Sequence, residues 1–275
     1  MSEIDSIIAE FLNDAPAGET RDVINDLKLI LDQTPDITKS IKRSLESSLV
    51  DQDKFEIISL PDAKKLSIIS KYNKKGTKFY DSRLKKLFNV QFLDNSALDV
   101  EDEEDDEEST ALFKSLATSL EKYVSEHYPL NNSQKLLAFD LFQLSATEIA
   151  IALINTKRNA SNFINGTWVS AYKYNSETGV LKGNISIDVH YFEDGNVRLK
   201  TSKSVESSVA AEASEIITLI KKEEESYELA LNKKFLKLNE VDFKSLRRPL
   251  PVTRAKVNWG KAIGNYRLGK DVNQA

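Results

Sequence analysis

The 275-residue chain contains no cysteine. That excludes a disulfide framework, thiol catalysis and cysteine-based metal centres, and it suits a reducing compartment. Histidine is nearly as scarce, with only His127 and His190. No apolar run approaches the roughly eighteen residues a membrane-crossing helix needs. The first residues, Met1-Ser2-Glu3-Ile4-Asp5, place acids where a secretory leader requires bases. Nucleophile-elbow, zinc-protease, phosphate-loop and dinucleotide-binding motifs are all missing, which moves the weight of expectation from catalysis to binding. The missing leader and membrane span predict a cytosolic or nuclear protein with no membrane insertion, and the missing motifs favour a binding protein over an enzyme, with no cofactor or metal expected.

The residues that are present include 40% apolar and 29% charged side chains, an ordinary composition for a soluble globular protein. The length allows one large domain or two small ones. A net charge of -5 conceals two segregated blocks. Glu101 to Glu108 is eight consecutive acids, and without them the net becomes +3. So dense a run reads as a solvated loop or spacer. The segment Lys244–Ala275 is its opposite, with eight Lys or Arg against the single acid Asp271.

Hydrophobic spacing divides the rest into an α+β fold. Residues 1–50 carry three short amphipathic helices, broken at Ala15-Pro16-Ala17-Gly18-Glu19 and at Pro35, and form a helical stalk. Residues 51–100 read as a small strand-rich section with strands at Phe55–Leu60, Leu66–Tyr72 and Lys86–Phe92. After the acidic loop 101–109, a helix occupies most of 110–134. Residues 135–209 form a five-stranded antiparallel sheet with strands near Leu136–Leu144, Ile149–Ile154, Phe163–Tyr174, Val180–Phe192 and Val197–Val205. A long helix over 210–240, without Gly or Pro from Glu212 to Lys237, covers one sheet face. Residues 241–275 are a mobile C-terminal arm.

In that arm Pro249 and Pro251 break what precedes. Val252, Ala255, Trp259, Ala262, Ile263 and Tyr266 then recur at helical spacing, with Arg254, Lys256, Lys261, Arg267 and Lys270 on the flanks. Three uses fit a basic amphipathic helix: docking on its own domain, lying on a membrane surface, or leaving the body to enter a partner's groove. Its small apolar face disfavours the membrane. The prolines, as a stiff hinge, favour the detachable arm, with the basic residues steering it to an acidic surface. Gly260 and Gly264 each cost about 0.5–1 kcal/mol in a helix interior, so docking rather than intrinsic propensity orders it.

Asp188 and His190 share one side of a strand and form the chain's nearest approach to a catalytic or metal-binding fragment. No second histidine or nucleophile motif joins them, and a structural pair is the expectation. The lysines of 55–93 alternate with apolar residues, as on a solvated strand face, and lack the exposed aromatics of a single-strand binder.

Several strings resemble the alpha subunit family of heterodimeric F-actin capping protein. They are Leu246-Arg247-Arg248-Pro249-Leu250-Pro251-Val252-Thr253-Arg254 with Lys256 and Trp259, Phe163 to Ser170, and Val189-His190-Tyr191-Phe192-Glu193-Asp194-Gly195-Asn196-Val197. Weaker echoes lie at Ala15–Glu19 and Glu126–Pro129. The resemblance implies an obligate beta subunit whose sheet joins this one, no nucleotide or metal, and placement on the barbed end of actin filaments in the cortical actin cytoskeleton. By the same resemblance Lys244, Arg248 and Arg254 make the first contacts with actin. Helical geometry adds Arg247, Lys256, Trp259, Ile263 and Tyr266 to the actin-binding set. The alternative is a basic-tailed module for nucleic acid or another acidic surface, which needs no second subunit and is steeply salt-dependent. An enzyme using Asp188 and His190 would instead require an enclosed pocket around the histidine.

Overall fold

A computed structural model describes residues 3–31, 35–51, 54–61, 66–103, 110–128, 135–193 and 196–237. The chain divides into two compact units, Met1–Ser226 and Tyr227–Ala275. The first begins with three helices, α1 (Glu3–Asp14), α2 (Thr20–Ile30) and α3 (Pro35–Asp51). Their shared core is Ile8, Leu12, Ile24, Leu27 and Ile41. Gly18 makes the α1–α2 turn at φ +77°, a conformation open to glycine at little cost. Pro35 opens α3, where its missing N–H breaks no helical hydrogen bond.

The strand-rich section is fuller than the hydrophobic runs predict. Six strands, β1 (Glu56–Ser59), β2 (Leu66–Ile69), β3 (Lys74–Lys75), β4 (Lys78–Asp81), β5 (Lys86–Gln91) and β6 (Ser96–Asp102), form one sheet in the order β2-β1-β6-β5-β4-β3. Ile58, Ile69, Phe79, Phe88, Val90, Phe92 and Ala97 pack beneath it with Leu49 of α3. Strands β3, β4 and β6 escaped the sequence reading because they are short or charged and draw their pairing from neighbours. Strand β3 consists of Lys74 and Lys75 alone, followed by Gly76 at φ +65°. Strand β6 also takes the first two residues of the acidic run, which remain exposed. Lysines receive them: Lys78 Nζ lies 2.6 Å from Glu101 Oε2, and Lys86 Nζ 2.5 Å from Asp102 Oδ1.

Helix α4 (Ala111–His127) starts at Thr110, whose hydroxyl accepts the Phe113 N–H at 3.2 Å. This N-cap satisfies a donor that the first helical turn leaves open. A five-stranded antiparallel meander follows: β7 (Lys135–Gln143), β8 (Glu148–Asn159), β9 (Ile164–Asn175), β10 (Val180–Tyr191) and β11 (Val197–Ser208), ordered β11-β10-β9-β8-β7. Strand β8 runs five residues past the expected Ile154, because polar Asn155 to Asn159 keep their ladder partners in β9. Ile149 to Ile154 are buried without alternation, so both faces of β8 are covered. Ala150, Ala152 and Ile154 share a core with Ile68 of β2. Helix α5 (Ala213–Lys237) buries Ile216 and Ile220, and from Tyr227 it belongs to the second unit. The C-terminal helix expected from Val252 lies outside the described residues.

Candidate functional site

Lys244, Arg247, Arg248, Arg254, Lys256, Trp259, Ile263 and Tyr266 all lie outside the described residues. Asp188 and His190, the other sequence candidates, are described, and both face the helical stalk. Arg198 of β11 donates to both oxygens of Asp188, Nε to Oδ1 at 2.9 Å and Nη2 to Oδ2 at 2.6 Å. The same guanidinium donates to the main-chain carbonyls of Asp14 and Ala15. Those carbonyls close α1, where a cation compensates the open acceptors and the helix dipole. Asp188 is therefore the orienter of an arginine cap.

His190 is buried, with Nδ1 2.5 Å from Glu19 Oε1 and Nε2 2.6 Å from Asn196 Oδ1. Nδ1–H donates to the Glu19 carboxylate, and Nε2 shares a hydrogen bond with the Asn196 side-chain amide. Asn165 Nδ2 donates to the same Glu19 oxygen at 2.8 Å. The hydrogen bond to Glu19, then that to Asn196, raises the His190 pKa against the opposing effect of burial. The folded value therefore exceeds the unfolded one. The stabilisation is complete below the ordinary histidine range and is lost as pH rises through the raised folded value. The thermal midpoint is expected to fall as pH goes from about 6 to about 8, and to fall less in His190→Gln. Parallel melting curves across that range check it, and equal slopes would remove the charge from His190.

A buried carboxylate escaped the sequence reading. Glu224 of α5 accepts from three phenols: Tyr123 at 2.6 Å and Tyr128 at 2.5 Å on Oε2, and Tyr172 at 3.2 Å on Oε1. Burial, then the negative charge of Glu224, pushes all three tyrosine pKa values up. The cluster joins α4, β9 and α5. Glu224 hid in Lys221-Lys222-Glu223-Glu224-Glu225, which reads as a solvated charge run. The available signal was its place four residues after Ile220 and three before Tyr227, on the apolar stripe.

Two surfaces are incomplete. Strand β7 has α4 and β2 packed against it. Strand β11, twelve residues long, pairs with β10 on one side and with no other strand among the described residues. Helix α1 has a second apolar stripe, Ile4, Ile7 and Phe11, that is 50%, 46% and 56% exposed. Its opposite side, Ile8 and Leu12, is already in the stalk core. Among the described residues, no group of three or more His, Cys, Asp or Glu is placed to hold a metal ion. No described helix is long and apolar enough to cross a membrane.

Residues 8–271 match the F-actin capping protein alpha subunit family. The chain belongs to that family. The F-actin-capping protein subunit alpha of Candida glabrata is 40% identical over 273 residues, covering 99% of this chain and 98% of that one. That of Saccharomyces cerevisiae is 35% identical over 274 residues, covering 98% and 97%. A solved structure, the homodimeric actin capping protein alpha subunit from Plasmodium berghei, shares the fold with a TM-score of 0.67 at 22% identity, over 84% of this chain and 91% of that one. The match begins at Ile8 within α1 and takes in the rest of the stalk, both sheets and the basic arm through Asp271. The arm residues singled out in the sequence therefore lie within the family's span.

Proposed function

We propose that this chain is the alpha subunit of a heterodimeric capper that binds the barbed ends of actin filaments and blocks subunit gain and loss. Its role is non-catalytic, without nucleotide, cofactor or metal, in the cytoplasm at the cortical actin cytoskeleton. The observation that carries this reading is the family match over residues 8–271, which runs through the arm. The arm is the actin-binding element: Lys244, Arg248 and Arg254, with Arg247 and Lys256, make the approach to acidic actin surfaces. Trp259, Ile263 and Tyr266 lay the apolar stripe into a groove.

The beta subunit is the obligate partner, and two surfaces support the pairing. A twelve-residue strand at the end of the sheet among the described residues, as β11 is, invites a further strand, and joining a second sheet there removes the liability. The exposed Ile4-Ile7-Phe11 stripe on α1 offers an apolar face for helices of the same partner.

The test is elongation of actin from preformed filament seeds, with this chain co-expressed with its beta subunit, either intact or cut after Leu246. The intact pair is expected to stop barbed-end growth at substoichiometric ratios to actin, and the cut pair to leave growth running. If a folded intact pair leaves growth unchanged, the capping reading fails, and the basic arm is then tested against polyanions.

A further inference from the structure

Two acids are buried where the two sheets meet. Asp81 ends β4 and Asp140 lies within β7, with relative exposures of 0% and 2%. Asp81 Oδ1 accepts the main-chain N–H groups of Arg83 at 3.0 Å and Leu84 at 2.7 Å. Asp140 Oδ1 accepts the Leu141 N–H at 2.8 Å and lies 2.7 Å from Ser82 Oγ. That same Ser82 oxygen is 2.9 Å from the Leu141 carbonyl. Oδ2 of Asp81 and Oδ2 of Asp140 are both buried without a hydrogen-bond partner.

Counting hydrogens exposes a deficit. A serine hydroxyl has one hydrogen, yet Ser82 sits at bonding distance from two acceptors. If Asp140 is ionised, one of those two oxygen contacts has no hydrogen in it, and a charged Oδ2 is left bare in the interior. Both conditions are costly. One proton on Asp140 Oδ1 removes them together. Asp140 then donates to Ser82, Ser82 donates to the Leu141 carbonyl, and Oδ2 becomes a neutral carbonyl oxygen.

We propose that Asp140 is held as the neutral acid, and that its proton closes the seam between the strand-rich sheet and the five-stranded sheet, which loosens when alkaline pH removes it. The surroundings act in this direction. Burial, then the negative charge of Asp81, pushes the Asp140 carboxyl up to about 8, against the hydrogen bonds from Ser82 and Leu141 and the charge of Arg83. Arg83 is engaged elsewhere, donating to the Leu66 carbonyl at 3.0 Å with its guanidinium 4.3 Å from the centre of the Phe139 ring. The other elements against β7 add no buried charge there. Strand β8 opposes Asp140 with Ala152, β2 contributes Leu66 to Ile69, and Lys114, Glu121, Lys122, Glu126 and His127 of α4 are exposed.

The sign follows from linkage. Above about pH 4 the unfolded chain has released this proton while the folded chain keeps it. Stability therefore falls as pH rises towards about 8 and is flat beyond. Asp140→Asn removes the titrating group; an amide nitrogen at the Oδ1 position donates to Ser82 but gives up the Leu141 N–H. In the full-length protein, with its partner subunit if they purify together, the variant is expected to lose this descending component of the pH dependence. The wild-type carboxyl carbon of Asp140, labelled with carbon-13 and assigned by its loss in Asp140→Asn, is expected to titrate near 8. Should the variant fail to fold, the wild-type titration, assigned through conservative changes at Ser82, still decides. A carbon titrating in the ordinary carboxylate range near pH 4, or a variant with the wild-type pH slope, overturns the proposal.

Discussion

Replacing Glu224 by leucine is expected to lower stability by about 3–5 kcal/mol, as three buried phenol donors lose their acceptor together. Leucine fills much the same volume, so the loss is one of polar satisfaction rather than of packing. Charge-assisted hydrogen bonds from Tyr123, Tyr128 and Tyr172 are what make a buried anion tolerable at this position. For a chain of this size the change corresponds to a fall of roughly 10 °C in the thermal midpoint. Single Tyr→Phe changes each remove one donor and leave the carboxylate two, so each is expected to cost about 1–2 kcal/mol. Thermal and denaturant melts of the four variants check this. A leucine variant as stable as the parent would mean that the cluster contributes nothing net.

On the proposed capping function, Arg248→Ala combined with Arg254→Ala is expected to slow barbed-end association by about tenfold or more, with a smaller change in dissociation. Charges at the rim of an interface steer the encounter over a screening length of about 8–10 Å, whereas buried apolar contacts set residence time. The deficit should therefore shrink as salt is raised. Growth rates of single filaments, recorded over a range of capper concentrations and two salt concentrations, separate the two rates. Unchanged association with faster dissociation would place the arginines in the bound interface instead. Trp259→Ala is the useful contrast, since an apolar anchor acts mainly on dissociation.

The long elements were legible because each carries its own pattern. Helix α4 shows an apolar stripe from Leu112 to Val124 and a Thr110 cap. The meander announces itself through its apolar runs, broken by turn-forming residues such as Asn175 to Gly179. The helix from Ala213 has no Gly or Pro. Shorter elements were not legible. Two residues at Lys74-Lys75 cannot display a period, and β6 ends in acids that the ladder to β5 holds extended, with Lys78 and Lys86 paired to their carboxylates. The end of β8 was misplaced for a related reason. Hydrophobicity stops at Ile154, but the hydrogen-bond ladder does not depend on side-chain polarity.

Candidate functional residues and buried polar pairs divide along the same line. The basic arm is a contiguous string, so its charge, prolines and helical spacing can be read directly, and the family match spans it. Glu19 and His190 are 171 positions apart, and Asp81 and Asp140 fall in separate sheets. No local window contains either pair. Sequence alone establishes the long helices and strands, where charge is segregated and which family the chain joins, because propensity, periodicity and motif are properties of neighbours. Tertiary structure alone decides which polar groups are buried and what satisfies them. Burial depends on distant segments meeting, and only there does the cost of an unpaired charge or a missing proton arise.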